Sequence, residues 1–308
     1  MPLAGLIDLG YTLEGGARGL RGLFTKAPSE KERRRVQKTA ALAWRVLELL
    51  VDDTSRDPNT TRGRGLAMAM NSFGLNQEEM ELSRPPSPMS FESLELLGEV
   101  DVKTRREVLR GAWVLALAGR VEPSLELTVR GIAQRLELPT ETDTLRSEVL
   151  AASQRQYETA LFALELARQP ARELAPDVAR AWLDHLIDSA APLGRREELH
   201  TIAHSSMPAA KPEAFPKLDG TRRRQALVLA YAALMGHDPN VSSSVHIRAE
   251  LLALADLTDA GSEAEDAFTL VDRYLTSRLR ELALQEPAQD PSPPPGPQNP
   301  ALPPHKAE

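Results

Sequence analysis

An acidic residue, a proline and a small polar residue recur together at the joints of this chain, at Asp57-Pro58-Asn59, Glu122-Pro123-Ser124 and Asp238-Pro239-Asn240. Each triplet is preceded by an Ala/Leu-rich run and followed by another. A proline fits the first turn of a helix but not its interior, because it has no N–H and its ring clashes with the preceding turn. Each acidic–Pro pair therefore marks where a helix begins. The pattern reads as one helix–turn–helix unit used several times, with a weaker copy around Pro176 and irregular intervals between copies. A lone hairpin cannot bury its own apolar face, so such units stack. The expected fold is all-α: an array of helical hairpins packed as a multi-helix bundle or a short solenoid. No segment carries the bounded Val/Ile/Thr run of a strand.

Prolines and glycines also divide the chain. Residues 1–28 form a Gly-rich arm with apolar anchors at Leu3, Leu6, Ile7, Leu20, Leu23 and Phe24 and basic neighbours at Arg18, Arg21 and Lys26. Glycine disfavours helix by roughly 1 kcal/mol per residue, so this arm is expected to fold back on the body or to touch a partner or a membrane surface. A helical unit follows over 29–83, opened by Ser29 and Glu32 at capping-box spacing and carrying Val36, Ala40, Ala43, Leu47 and Leu50 on one stripe. A Pro-rich linker at 84–90 precedes a second unit over 91–204, in which Pro170, Pro176 and Pro192 are expected to separate helices including Tyr157–Ala167 and Val178–Ala190. A Pro-containing linker at 205–220 leads to a third unit over 221–284, and a Pro-rich tail at 285–308 has little to bury. The run Ala226 to Met235 is apolar on almost every face, which marks it as the helix the others surround. Asp219 or Thr221 is placed to cap it.

With 308 residues and 42% hydrophobic side chains, the chain has ample material for a core. Aromatics are only 4%, so Leu and Ala must carry the packing. The net charge of −7 argues against nucleic acid as a partner, since such binders present a basic face. Basic clusters at Arg33-Arg34-Arg35, Arg105-Arg106, Arg195-Arg196 and Arg222-Arg223-Arg224 are expected to pair with the 44 carboxylates of the same chain. There is no cysteine, which removes disulfides, thiolate–metal sites and thiol nucleophiles. No apolar stretch approaches the roughly 20 residues that span a bilayer. No basic n-region with an apolar h-region opens the chain, and a cytoplasmic location is the expectation.

The segment 105–138 has a further character. Arg106, Leu109, Ala112, Leu115, Ala116 and Leu117 lead into Gly119-Arg120-Val121-Glu122-Pro123, then Glu126, Ile132-Ala133 and Leu136-Glu137-Leu138. This resembles the TerB-like helical domain of tellurite-resistance and stress-response systems. The resemblance implies a helix, an acidic turn and a second helix, with a divalent ion as the candidate ligand of the turn. Glu122 and Glu126 are then its candidate ligands, with Asp57 and Asp238 at the other acidic turns. Where the family has an aspartate before the turn glycine, this chain has Ala118, so a leading ligand is replaced.

A second candidate metal site needs no resemblance. His200 and His204 are four apart, with Glu197 three before His200, so all three fall on one helical face. Histidines at i and i+4 suit a transition metal, and His185, beside Asp184, is placed to fold back as a third ligand. The motif lacks the internal glutamate of a zinc peptidase and the second Glu-x-x-His of a di-iron bundle. No nucleophile elbow and no phosphate loop accompany it. The function read from sequence is a non-enzymatic helical scaffold that takes a protein partner without a resident cofactor. The alternative is a TerB-like stress-response protein that binds a divalent metal ion through acidic inter-helix turns.

Overall fold

The computed structural model describes residues 30–51, 60, 62–63, 65–66, 100–118, 122–205, 211–237 and 241–285. Among them the protein is entirely helical, with no strand. The elements are α1 (Glu30–Glu48), α2 (Val102–Ala116), α3 (Pro123–Arg135), α4 (Thr142–Ala171), α5 (Pro176–Ala190), α6 (Arg196–Ala203), α7 (Gly220–His237), α8 (Val241–Leu257) and α9 (Gly261–Gln285), with short 3-10 turns at Leu193–Arg195 and Pro212–Ala214. Asp57, Asp238, the arm at 1–28, the linker at 84–90 and residues 286–308 lie outside the described residues.

The helix starts follow local chemistry. Pro123 and Pro176 occupy first-turn positions of α3 and α5, where a missing N–H leaves nothing unsatisfied. Asp101 caps α2 by accepting from the Thr104 N–H at 2.8 Å. Asp219, not Thr221, caps α7, accepting from the Arg222 N–H at 2.9 Å. The expectation for Pro170 does not hold. It sits inside the last turn of α4, close enough to the helix end to be tolerated. The same helix begins at Thr142, well before the expected Tyr157. Its polar middle, Ala151 to Gln156, is largely exposed and shows no apolar stripe, so periodicity misses it.

That polar middle joins two apolar cores. Leu42, Val46 and Leu47 of α1 meet Leu109 and Trp113 of α2, Ile132 of α3, and Leu145 and Val149 at the start of α4. The second core gathers Phe162 and Leu166 of α4, Trp182 and Leu186 of α5, Ala226 to Leu234 of α7, and Phe268 and Val271 of α9. Full burial of one such large side chain contributes about 1.5–3 kcal/mol. From Gln225 to Leu234 every residue of α7 is buried, and α7 packs against α4, α5, α8 and α9. This is the expected central helix. The segment read as a linker before it is anchored. Phe215 and Leu218 are buried, and the Phe215 ring stands edge-on to Phe162 with centroids 5.3 Å apart.

Candidate metal centre

α5 and α6 form a tight hairpin whose two helices carry matching side-chain pairs. On α5, Leu183, Leu186, Ile187 and Ala190 face the core, and Asp184 and Asp188 stand one residue round the helix from Leu183 and Ile187. On α6, Leu199 and Ala203 face the core, and His200 and His204 stand one residue round from them. Residues four apart share a face, so each helix presents a ladder of two polar groups along the edge of the hairpin. The ladders meet. Asp184 Oδ1 lies 2.9 Å from His200 Nδ1 and 2.7 Å from His204 Nε2. The two imidazoles stack with centroids 6.1 Å apart and planes 19° from parallel.

Asp188 extends the array from the other side of His200. Its Oδ1 is 3.6 Å from His200 Nε2 and 3.6 Å from Arg196 Nη1. His200 thus stands between two carboxylates, one at each ring nitrogen.

α4 holds α6 at both ends. At the start, the Tyr157 hydroxyl donates to Glu198 Oε1 at 2.6 Å, and Arg195 donates to Glu198 Oε2 at 2.6 Å with its guanidinium 3.7 Å above the Tyr157 ring. Arg195, with help from the tyrosine, holds the Glu198 carboxyl below its ordinary range, while burial and the nearby carboxylate push the Tyr157 phenol up. At the far end, Arg168 donates to Ser205 Oγ at 3.1 Å and to Glu165 at 2.8 Å, both members of that ion pair being buried. The turn between α5 and α6 is pinned too. A Cβ on Gly194 would come within 3.2 Å of the backbone of Leu117 and Ala118, at the end of α2. The eight-residue α6 therefore cannot rotate freely, and its histidine ladder is aimed at α5.

One carboxylate oxygen and two imidazole nitrogens here all lie within 4.8 Å of one another. Ligand atoms of a tetrahedral zinc ion sit about 3.3 Å apart, given bonds of roughly 2.0–2.2 Å. The two oxygen–nitrogen separations here, 2.9 and 2.7 Å, are somewhat shorter than that.

The chain matches no protein-family model, no curated protein and no solved structure.

The other residues singled out in the sequence are placed elsewhere. Glu197 is exposed and does not join the cluster, and Asp184 supplies the carboxylate instead. His185, half-buried on α5, stays outside it. Glu122 accepts from Arg62 at 2.9 Å and Glu126 from Arg146 at 2.6 Å. Each is engaged by its own arginine, and neither belongs to a group of three potential ligands among the described residues. The one other such group is Glu173, His246 and Glu250, where His246 and Glu173 are largely exposed. The sequence signal that leads to Asp184 is the second i, i+4 polar pair, Asp184 and Asp188, across a short Pro-Leu-Gly turn from the histidines.

The side chains of Arg33-Arg34-Arg35 lie outside the described ones, and in the other three basic clusters the arginines are largely paired among the described residues. Arg105 binds Glu137, Arg106 binds Glu141 and Glu148, Arg222 binds Glu158, and Arg223 binds Glu263. No helix among the described residues is long and apolar enough to cross a membrane.

Proposed function

We propose that this chain is a helical metal-binding protein whose α5–α6 hairpin holds one divalent transition-metal ion, of the zinc class, through Asp184, His200 and His204. The observation that carries this reading is the convergence of those three donor atoms from two helices, the second of them tied to α4 at both ends. Two imidazoles and one carboxylate form a donor set that suits zinc and its first-row neighbours better than calcium or magnesium, which prefer oxygen throughout. Three protein ligands leave one tetrahedral position for water or a ligand, the pattern of reactive rather than purely structural zinc sites. The side chains are each about one-third exposed, at 36% for Asp184, 32% for His200 and 34% for His204, so that position is open to solvent. Asp188, its Oδ1 3.6 Å from His200 Nε2, lies beside the ring nitrogen that a metal bound at Nδ1 would leave free.

Zinc titration of chelator-treated protein by calorimetry tests this, with cobalt(II) as an optical probe. The expected result is one ion per chain, visible absorption of tetrahedral cobalt, and a raised Tm. An ion at 100 times its Kd stabilises the folded state by about 2.7 kcal/mol. His200→Ala and His204→Ala should each abolish binding, and Glu126→Gln should keep it. No binding by the wild-type chain ends the proposal.

A second reading, a scaffold for a protein partner, is favoured by one observation. An open, mostly apolar groove of about 520 Å³ runs between α2, α4 and the α5–α6 turn, and includes Val114, Leu117, Val149 and Pro192. A stoichiometric partner that co-purifies with wild type and is lost from Val114→Asp would support it.

A further inference from the structure

His204 belongs to two sites at once. Besides facing Asp184, it lines an open pocket of about 510 Å³ bounded by the end of α4, the start of α5 and the end of α6. A pocket of this size suits a small molecule, for which roughly 300–1,000 Å³ is usual. Its lining has two chemistries. Leu174, Ala179, Leu183 and Ala203 make an apolar floor that is half-buried or buried. Arg168, Arg172 and Arg180 stand around it.

The three arginines differ in what they hold. Arg168 is buried and neutralised by Glu165. Arg172 and Arg180 are exposed and have no ion-pair partner among the described residues. Arg45, Arg155, Arg224 and Arg273 also have no such partner, whereas Arg62, Arg105, Arg106, Arg110, Arg130, Arg146, Arg195, Arg222, Arg223 and Arg248 each have a carboxylate within 4 Å. The net charge is −7, so carboxylates are not scarce. Two uncompensated guanidiniums are thus kept on one small pocket with an apolar floor. Guanidinium matches the paired oxygens of phosphate with parallel N–H donors.

We infer that this pocket binds a small phosphate monoester with an apolar body, its phosphate taken by Arg172 and Arg180 and its body lying on Leu174, Ala179 and Leu183. This deepens the metal reading and rests on it in one respect: His204 would bring the ester to the edge of the ion's open position. The arginine contacts themselves need no metal.

Phenyl phosphate and inorganic phosphate are the probes, titrated at low salt into the full chain after chelator treatment and again with one equivalent of zinc. Saturable binding of phenyl phosphate is expected without zinc, tighter than that of inorganic phosphate, because only the ester reaches the apolar floor. The double variant Arg172→Gln/Arg180→Gln should bind at least tenfold more weakly. Arg273→Gln, at an exposed position on α9, a helix that does not line the pocket, should bind as wild type does. Equal loss in both variants would reduce the effect to bulk charge and overturn the inference, as would undiminished binding by the double variant. Sedimentation with phosphatidic-acid vesicles without binding of phenyl phosphate would reassign the arginines to a lipid surface and also overturn it. If zinc fails to bind while phenyl phosphate binds and depends on Arg172 and Arg180, the metal reading falls and the pocket stands. If zinc binds and phenyl phosphate does not, the reverse holds.

Discussion

The indole N–H of Trp182 donates to the backbone carbonyl of Ala230 across 3.2 Å, and ties the middle of α5 to the middle of α7. Both residues are fully buried. Asp184 lies two residues further along α5, so the rotation that satisfies the indole also sets where the carboxylate points. Trp182→Phe should keep most of the apolar contact and lose the hydrogen bond. A loss of about 1–3 kcal/mol is expected, from the missing bond and the space left by the smaller ring. Denaturant unfolding monitored by circular dichroism measures it, and an unchanged midpoint would deny the tie any weight.

Arg222 makes three side-chain hydrogen bonds to α4. It donates through Nε to Thr159 Oγ1 at 3.3 Å and through Nη2 to the Arg155 carbonyl at 2.7 Å and to Glu158 at 2.8 Å. These bonds join the first turn of α7 to the middle of α4, between the two cores. Arg222→Met keeps the aliphatic stem but leaves these acceptors without their donor. Because Glu158 is about one-third exposed, water screens part of the ion pair, and a loss of about 1–3 kcal/mol is expected. In a double-mutant cycle with Glu158→Gln the coupling should be about 1 kcal/mol, the remainder residing in the bonds to Thr159 and Arg155. A coupling near zero would place the whole effect in those other bonds.

The carboxylates make stability sensitive to acid. Arg222, with Gln154, holds Glu158 below its ordinary 4.5, Arg195 and Tyr157 do so for Glu198, and Ser262 and Arg223 for Glu263. A carboxylate whose folded pKa is depressed contributes stability that is present above its unfolded pKa and lost as pH falls through the folded one. Tm should therefore fall below about pH 4.5. The opposite sign applies where Glu173 raises His246 above its ordinary 6.5. That contribution is present below the unfolded value and lost as pH rises through the folded one, so a small decline should appear above about pH 6.5 and vanish in His246→Gln. A scan of Tm against pH checks both limbs, and a flat profile below pH 4.5 would contradict the first.

α8 ends in a left-handed residue that is not glycine. Asp259 has φ 55°, and the turn is closed by the Ala260 N–H donating to the Ala255 carbonyl at 2.7 Å. Aspartate tolerates this conformation better than most residues, yet glycine adopts it without a Cβ clash. Asp259→Gly should raise stability by about 0.5 kcal/mol, the relief of strain outweighing the greater freedom of glycine in the unfolded chain. Thermal unfolding measures it, and a lower Tm would show that the aspartate does more than fill the turn.

Helix existence was legible in this sequence where a long apolar stripe or run faced a core. The stripe of Val36 to Leu50 and the all-apolar run Ala226 to Met235 both answer to helices in the fold, the second at its centre. Capping chemistry was legible too, since Pro123, Pro176 and Asp219 act on the backbone next to them. The first half of α4 was not, because a helix bridging two cores needs no continuous stripe. Pro170 misled for a related reason, since its effect depends on how many turns follow it, and almost none do.

The candidate site was legible only in half. His200 and His204 sit four apart on one helix, a spacing that local geometry guarantees. The partner carboxylate comes from sixteen residues earlier, on another helix. Glu197 is close in sequence yet exposed, and Asp184 is remote yet 2.9 Å from an imidazole. What the amino-acid order determined by itself is what depends on neighbours along the chain: helical periodicity, caps, proline starts and the two-histidine ladder. What the tertiary structure alone decided is which ladder faces which, because that follows from the rotation of each helix about its axis. Core packing around Trp182 and Leu199, the clamps from α4 and the close approach at Gly194 set that rotation. Contacts between residues far apart in the chain leave no period to read.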